Sequence, residues 1–198
     1  MNPVALCNLA LGKLGDAGGV VSIDPPDDSV QAGHCAQFYP IALAFALSQH
    51  NWSFATRTVT PSALVNDNGA WAYAFALPAG FAKLVNISTS EIEEVTEYSL
   101  ELSDSGQSVL YVDEESITLE FVTSNLSSDN FPGYFIGYFT TLLASYLAGP
   151  ILRGDVGVSA AKSLTQTALG ELAIATVHDS RNVRRRRNKI PKYTQARR

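Results

Sequence analysis

Apolar and polar positions along the 198-residue chain follow a helical spacing near both ends and a strand spacing in the middle. The most apolar stretch, 32–56, contains no Asp, Glu, Lys or Arg and has large aromatic residues near both of its ends. Such a segment has to be covered on nearly all sides, so we expect it to form the central helix. Pro40 lacks a backbone N–H and predicts either a kink or two shorter helices that meet there.

Both helices that are predicted before residue 57 have recognisable starts. Asn2 and Pro3 give the first helix an Asn cap followed by Pro at the first helical position, and Gly15 ends it. Asp27 or Asp28 is expected to cap the central helix.

Four aromatic residues are expected to anchor the central helix in the core. Phe38 and Tyr39 come directly before Pro40, and Trp52 and Phe54 lie where the chain leaves the helix. A Trp between small polar residues at a helix end is typical of an indole that closes one end of a core.

Two more helices are predicted after residue 130. The stretch 131–147 places Phe, Tyr and Leu at three- and four-residue steps, and Gly149 and Pro150 are expected to stop it. The last helix is expected to start with Asp155 as its cap and to run to about His178. Its narrow apolar seam consists of Ala161, Leu164, Ala168 and Leu172.

The central part of the chain is rich in β-branched residues and turn signals, which predicts strands. The strand candidates are 56–60, 71–77, 81–88, 95–102, 108–112 and 117–122. Ile117, Leu119 and Phe121 alternate with polar residues, which is typical of a strand with one buried and one wet face. We therefore expect a small antiparallel meander.

The predicted fold class is α+β. A bundle of about four helices is expected over 1–56 and 131–179, with a small antiparallel sheet inserted at 57–130. An extended basic arm is expected over 180–198.

Charge divides the chain more sharply than the net charge of −5 indicates. Residues 1–180 contain all 19 acidic residues but only five basic ones, which gives −14. Residues 181–198 contain nine basic residues and no acidic one, which gives +9. An acidic body is therefore followed by a basic arm.

Composition also bears on compartment and on membranes. Cys7 and Cys35 lie in predicted helices without a C-x-x-C spacing, so we interpret them as buried thiols in a reducing compartment. The N-terminus lacks the pattern of a signal peptide. The charge-free stretch 131–152 is about long enough to span a bilayer, but Pro near each end favours a buried core helix, and we expect no membrane partner.

Candidate catalytic groups are few. His34, His50 and His178 are all interpreted as structural. His34 adjoins Cys35, but neighbouring residues on a helix point about 100° apart, so these two do not form a Cys-His dyad. The acidic stretches 91–94 and 113–115 do not match a calcium loop and are interpreted as a solvated face. We therefore expect no enzyme, no metal and no cofactor.

Several motifs occur in an order that resembles a known family. A short first helix and the turn at Pro26-Asp27 lead to Phe38-Tyr39-Pro40 and then to the exit Trp52-Ser53-Phe54-Ala55. These motifs are followed by 73–84 with Leu77-Pro78, a hairpin over 109–122, the helix 131–147 with Gly149-Pro150, and a last helix with an Arg-rich tail. This order resembles the tail tubular protein A family, the head-to-tail adaptors of short-tailed bacteriophages.

The resemblance implies a structural virion protein in the neck of the tail, assembled in the cytoplasm of the host bacterium. Such adaptors form a ring, usually a dodecamer, between the portal and the tail nozzle. The nozzle in this setting resembles tail tubular protein B. Double-stranded DNA passes through the lumen without specific binding, for which an acidic wall is suited because carboxylates repel phosphates.

The basic arm is the predicted contact with the portal or another partner. Its expected contact residues are Arg181, Arg184, Arg185, Arg186, Arg187, Lys189, Ile190, Pro191, Lys192, Tyr193, Arg197 and Arg198. Like charges and few apolar groups predict that the arm is disordered in the free subunit. The alternative is a nucleic-acid-binding module in which the same residues clamp phosphates, although no reading helix precedes them.

Overall fold

Helices occupy both ends of the described chain and strands occupy its middle, which confirms the predicted α+β class. The structure is a computed structural model that describes residues 1–103 and 106–182. The α-helices within them are α1 (Pro3–Lys13), α2 (Val30–Ser48), α3 (Gly133–Leu152) and α4 (Gly154–Ser180). The strands are β1 (Thr56–Val59), β2 (Ala63–Leu64), β3 (Tyr73–Ala76), β4 (Phe81–Ser88), β5 (Ser99–Leu102), β6 (Ser108–Val112) and β7 (Thr118–Thr123). A short 3-10 helix, Ser128–Asn130, precedes α3.

The central helix is α3 and not α2, so the prediction for 32–56 was wrong. Ten of the 20 residues of α3 are buried, against six of the 19 residues of α2. The other three helices all pack against α3. Neither α2 nor α3 contains a charged residue, so the absence of charge did not distinguish the helix inside the core from the one at its edge.

One side of α2 is buried and the other faces outward. Ala32, Cys35, Tyr39 and Ala42 lie in the core, at the three- and four-residue steps of a single helix face. The helix is continuous from Val30 to Ser48, so the alternative of two shorter helices that meet at Pro40 is also wrong.

The cap of α2 is Ser29 and not Asp27 or Asp28. The Ser29 hydroxyl accepts a hydrogen bond from the Ala32 N–H at 3.1 Å. Asp27 does not cap the helix but binds the residue that does. Its carboxylate accepts hydrogen bonds from the hydroxyl and the N–H of Ser29 and from the Val21 N–H. The bond from the Ser29 hydroxyl, followed by those from the backbone, lowers the pKa of Asp27. By contrast, α1 starts with Asn2 as its cap, as predicted.

The connection between α3 and α4 differs from the prediction in two ways. The helix α3 continues through Gly149 and Pro150 and ends at Leu152, and Arg153, with φ of 57°, occupies the cap position of α4 in place of Asp155. A proline inside a helix removes one backbone hydrogen bond and its ring crowds the carbonyl four residues before it, and α3 ends two residues after Pro150. A side chain at Gly157 would place its Cβ 3.0 Å from the Ala148 carbonyl oxygen, so a glycine is needed where the two helices approach each other.

The strands form two antiparallel sheets and not one meander. The first sheet has the order β1-β7-β4 and the second has the order β2-β3-β6-β5. The predicted hairpin over 109–122 is therefore wrong, because β6 and β7 belong to different sheets. The bounds of β4 and β6 agree with the prediction, β5 is shorter than predicted, and β2 was not predicted.

The predicted alternation along 117–121 is confirmed, since Ile117, Leu119 and Phe121 are buried while Thr118 and Glu120 are only half-buried, but the polar face is covered at its end by the burial of Val122. Leu119 and Phe121 pack with Leu110 and Val112 of β6 in a cluster between the two sheets. On the other side Val122 is fully buried in the helical core. The strand therefore joins the two hydrophobic clusters of the protein, and the first sheet forms a layer between the helices and the second sheet.

An aromatic cluster fills the helical core around α3. The Trp52 ring packs edge-on against Phe135 with ring centroids 5.0 Å apart, and its indole N–H donates to the Ala46 carbonyl oxygen at 2.9 Å. Tyr39 packs edge-on against Phe139 at 5.4 Å. Edge-to-face pairs of this kind stabilise a core beyond the area that they bury.

Within the described residues, α3 is the one helix long and apolar enough to cross a membrane. Of its most apolar window, 56% is buried inside the fold. The core helix of a globular protein has these properties, and α3 is covered by α1, α2 and α4.

We predict that Trp52→Ala lowers the free energy of unfolding by about 3–5 kcal/mol, because it removes a fully buried indole and its hydrogen bond. Denaturant unfolding followed by circular dichroism measures the loss. Trp71→Ala is the matched control, since Trp71 is only half-buried beside the small cluster of the second sheet, and we expect a loss of about 1 kcal/mol there. Equal losses in the two variants would contradict the central position of Trp52.

Candidate functional site

The most elaborate polar arrangement in the described residues is centred on Asp179, near the end of α4. Its side chain is 1% exposed. It accepts hydrogen bonds from the Ser53 N–H at 2.9 Å, the Ser53 hydroxyl at 2.8 Å and the Tyr134 hydroxyl at 2.7 Å. The His50 Nε2 atom lies 3.3 Å from the carboxylate. A buried carboxylate is costly unless donors surround it, and this one has them.

The Asp179 cluster (His50, Ser53, Tyr134 and Asp179) joins three parts of the chain. His50 and Ser53 follow α2, Tyr134 lies in the first turn of α3, and Asp179 lies in the last turn of α4. The cluster therefore links the end of α4 to the segment after α2 and to the start of α3. The basic arm begins at this point of the chain.

Tyr134 extends the cluster to the last described residue. The Asn182 side-chain amide donates to the Tyr134 hydroxyl at 3.1 Å, and the Tyr134 ring stacks on His178 with centroids 6.2 Å apart. Burial, together with the hydrogen bond to Asp179, raises the pKa of Tyr134 to about 12. The phenol therefore remains a donor to Asp179 at all ordinary pH values.

Ser53, His50 and Asp179 have the residue types of a hydrolase triad but not its geometry. In a triad the imidazole lies between the hydroxyl and the carboxylate and accepts the hydroxyl proton. In this protein the carboxylate lies in the middle, with the Ser53 hydroxyl on Oδ1 and His50 on Oδ2. The Ser53 hydroxyl donates to a carboxylate that already accepts other hydrogen bonds, and not to the His50 imidazole, so the cluster holds elements together and lacks the arrangement of a triad.

A cleft of about 610 Å³ opens beside the cluster, between the helices and the first sheet. Its volume lies within the range of small-molecule sites. Most of its lining residues are polar, however, whereas such sites are mostly lined by hydrophobic side chains. The lining includes His50, Asn51, Ser53, Thr56, Glu120 and Asp179.

Acidic residues in the segments next to β5 and β6 border a smaller cleft of about 210 Å³. Glu94, Asp113 and Glu114, from the two acidic stretches 91–94 and 113–115, line it together with Glu97. Among the residues that the structure describes, no three His, Cys, Asp or Glu side chains are placed to hold a metal ion.

The two cysteines lie together in the helical core, and both are fully buried. A hydrogen bond with Cys35, together with burial, raises the pKa of the Cys7 thiol. The thiol is the unreactive form of this side chain, so Cys7 is a poor nucleophile.

The predicted anchors and arm residues fall in different places. Trp52 and Tyr39 are buried, and Phe38 and Phe54 are half-buried against the same core. Of the predicted arm contacts only Arg181 lies within the described residues, where it is exposed at the end of α4. The other predicted contacts, all beyond residue 182, lie outside the described part, as does the expected disorder of the arm.

Two helices carry exposed apolar side chains at helical spacing. On α2, Val30, Gly33, Gln37, Ile41, Ala44, Phe45 and Ser48 are exposed on the side away from the core, and we call this side the α2 outer face. Phe45 is 44% exposed in it. On α4, Leu169, Ala173 and Val177 follow one another at four-residue steps, and we call them the α4 outer face. Leu169 is 59% exposed.

Sequence reasoning missed the Asp179 cluster because 126 residues separate Ser53 from Asp179. One signal was present. A negatively charged Asp in the last turn of a helix is repelled by the partial negative charge of the helix end. Its presence there indicated that a partner elsewhere in the fold compensates for this repulsion.

A scan against protein-family models and a search of curated proteins gave no match for this chain.

We predict that Asp179→Asn lowers the free energy of unfolding by about 2–3 kcal/mol, because an amide group cannot accept all the hydrogen bonds that the carboxylate receives. Tyr134→Phe removes one donor and should cost about 1 kcal/mol. Asp155→Asn is the matched control at an exposed position of the same helix and should cost at most about 1 kcal/mol. Denaturant unfolding of all three variants tests this, and a smaller loss in Asp179→Asn than in Asp155→Asn would contradict it.

Proposed function

We propose that this chain is a structural virion protein, a head-to-tail adaptor that forms a ring between the portal and the tail nozzle of a short-tailed bacteriophage. The order of sequence motifs and its resemblance to the tail tubular protein A family support the proposal, as does the α+β fold with helices at both ends of the described chain. The proposed ring contains twelve copies, is assembled in the bacterial cytoplasm and lies in the neck of the virion.

The observation that carries the proposal is the pair of exposed apolar faces on two different helices. The α2 outer face and the α4 outer face are different surfaces, so a contact between one face and the other on the next copy is heterologous. A heterologous contact repeated around an axis produces a closed ring when the rotation closes. A two-fold dimer would need only one self-complementary face.

The charge distribution fits a channel that DNA passes through. Residues 1–180 carry −14, and phosphates are repelled by unpaired carboxylates. The proposed ring therefore encloses double-stranded DNA without binding it specifically, and neither the portal contact nor the nozzle contact involves a membrane.

The basic arm is the proposed contact with the portal. Arg outnumbers Lys seven to two in residues 181–198, which favours bidentate contacts with carboxylates or phosphates. The acidic character of the body favours carboxylates as the partner, on the portal or on a neighbouring subunit.

The same arm supports a second candidate, a nucleic-acid-binding module. Nine basic residues without an acidic one are sufficient for salt-dependent binding to phosphates. A module of this kind would bind DNA as a single subunit, whereas an adaptor assembles with a portal in the absence of DNA.

We predict that Phe45→Asp and Leu169→Asp each prevent ring assembly, because each variant retains only one of the two complementary faces. An equal mixture of the two variants should form one-to-one pairs and nothing larger, since the intact α2 outer face of Leu169→Asp fits the intact α4 outer face of Phe45→Asp. Native mass spectrometry measures the species, under conditions in which the unaltered chain assembles.

Val65→Asp is the control for this experiment, because Val65 is 86% exposed outside both helices and its replacement should leave assembly unchanged. Self-association of pure Leu169→Asp would reveal a symmetric α2–α2 contact and contradict the heterologous ring. A mixture that remains monomeric would contradict it as well.

We predict that a chain ending at Asn182 remains folded but no longer attaches to portals, because the arm supplies the contact. Sedimentation with purified portal rings measures attachment, and retention on DNA at low and high salt is measured in parallel. If the shortened chain attaches normally and loses only salt-sensitive DNA retention, the arm is a DNA clamp and the portal assignment is wrong.

A further inference from the structure

The connection between β2 and β3 contains the one asparagine of the sequence that is directly followed by glycine, Asn68-Gly69. Asn68 is half-buried and Gly69 is exposed. In such a pair the backbone nitrogen of the glycine can attack the side-chain amide before it, because no Cβ crowds the approach. The contacts of the two residues decide whether the fold protects the amide or exposes it to this reaction.

Each polar atom of Asn68 has a hydrogen-bond partner. Its N–H donates to the Asn66 Oδ1 atom at 3.0 Å, and its carbonyl oxygen accepts from the Trp71 N–H at 3.3 Å. Its Oδ1 atom accepts from the Ala70 N–H at 3.0 Å, and its side-chain amide donates to the Glu101 Oε2 atom at 3.3 Å. The side chain is therefore held in one orientation relative to the backbone that follows it.

That orientation turns the side chain of Asn68 toward the nitrogen of Gly69. The bond from the Ala70 N–H to Oδ1 is an Asx turn, and it closes a ring that contains both the Asn68 Cγ atom and the Gly69 nitrogen. The Gly69 N–H itself has no hydrogen-bond partner among the described residues. The nitrogen next to Cγ is therefore not engaged in another bond.

The Ala70 N–H also lies where negative charge develops in this reaction. When a nitrogen attacks Cγ, the amide oxygen Oδ1 becomes an oxyanion. A backbone N–H that already points at this oxygen stabilises the charge without reorganisation. The turn thus supplies both a free nucleophilic nitrogen and a donor for the oxyanion.

We propose that Asn68-Gly69 is a site of spontaneous deamidation in the folded protein. The Gly69 nitrogen forms a bond to Cγ of Asn68, and the bond from Cγ to the side-chain nitrogen breaks. The proton of the Gly69 N–H leaves with that nitrogen as ammonia, so a succinimide ring remains. Water then opens the ring at either carbonyl and gives aspartate or isoaspartate. The inference does not depend on the adaptor role, since it concerns the chain by itself.

The product changes the contact between this turn and β5. Glu101 lies in β5, which is an edge strand of the second sheet, and it accepts a hydrogen bond from the Asn68 amide. Both products carry a carboxylate in place of that amide, and two carboxylates repel each other. Deamidation therefore removes this link between the turn and β5 and adds a negative charge to a body that is already acidic.

Incubation of the purified full chain at mildly alkaline pH tests the proposal. Digestion at acidic pH followed by mass spectrometry measures the converted fraction of each asparagine over time. Conversion should be faster at Asn68 than at Asn86, which is followed by Ile87 in β4 and serves as the internal control.

Gly69→Ala is the matched variant, because no heavy atom lies within 4 Å of the position that its Cβ would take, so the fold accepts the methyl group. The methyl group crowds the attacking nitrogen, and conversion at Asn68 should be about tenfold slower, which corresponds to a barrier higher by about 1.4 kcal/mol. Equal rates at Asn68 in Gly69→Ala and in the unaltered chain would overturn the proposed attack by this nitrogen.

The same measurement on the chain unfolded in denaturant, at the same pH and temperature, separates the fold from the sequence. Asn68 should convert at least as fast in the folded chain as in the unfolded one, because the Asx turn orients both reacting groups. Slower conversion in the folded chain would overturn the proposal, since the hydrogen bonds of Asn68 to Glu101 and Trp71 would then protect the amide.

Discussion

The fold depends on the need to bury α3, a 20-residue helix without a charged side chain. Its aromatic and aliphatic side chains point in all directions, so no single neighbour can cover them. The helices α1, α2 and α4 each cover one side, and Trp52 closes the remaining space against Phe135 and Tyr138. Because α3 requires so many neighbours, α2 and α4 each bury one face against the core and expose another face to solvent. The exposed apolar faces on which the proposed ring depends are a consequence of how α3 is covered.

The Asp179 cluster fulfils a different requirement, which is to fix the open end of the helix pair. Near the connection, the backbone approach at Gly157 keeps α3 and α4 close. Toward the other end Gly133 and Gly137 leave open space, and the Tyr134 ring stacks on His178 of α4. The hydrogen bonds from Tyr134 and Ser53 to Asp179 hold that end of α4 in place. Backbone packing holds one end of the pair, and at the other end the buried Asp179 acts together with the stack of Tyr134 on His178.

Local patterns predicted the parts of the fold that depend on neighbouring residues. Asn2 caps α1 as expected, and the bounds of β4 and β6 follow from their strand-forming residues and the turn signals beside them. The failures involve competition or distance. Asp27 has the chemistry of a cap, but it binds Ser29 instead, and Ser29 then caps α2. The division into two sheets depends on whether β7 pairs with β6 or with β1 and β4, and each strand pattern is compatible with both. The Asp179 cluster brings together side chains that no local pattern connects.

The open end of the helix pair contains two carboxylates, and they differ in what they can still bind. Asp179 already accepts three hydrogen bonds and lies beside His50, so an incoming cation would have to displace donors to reach it. Glu171 has one oxygen near Lys13 and another without a partner among the described residues. Asp179 therefore fixes the end of α4, whereas Glu171 lies beside Lys13 of α1.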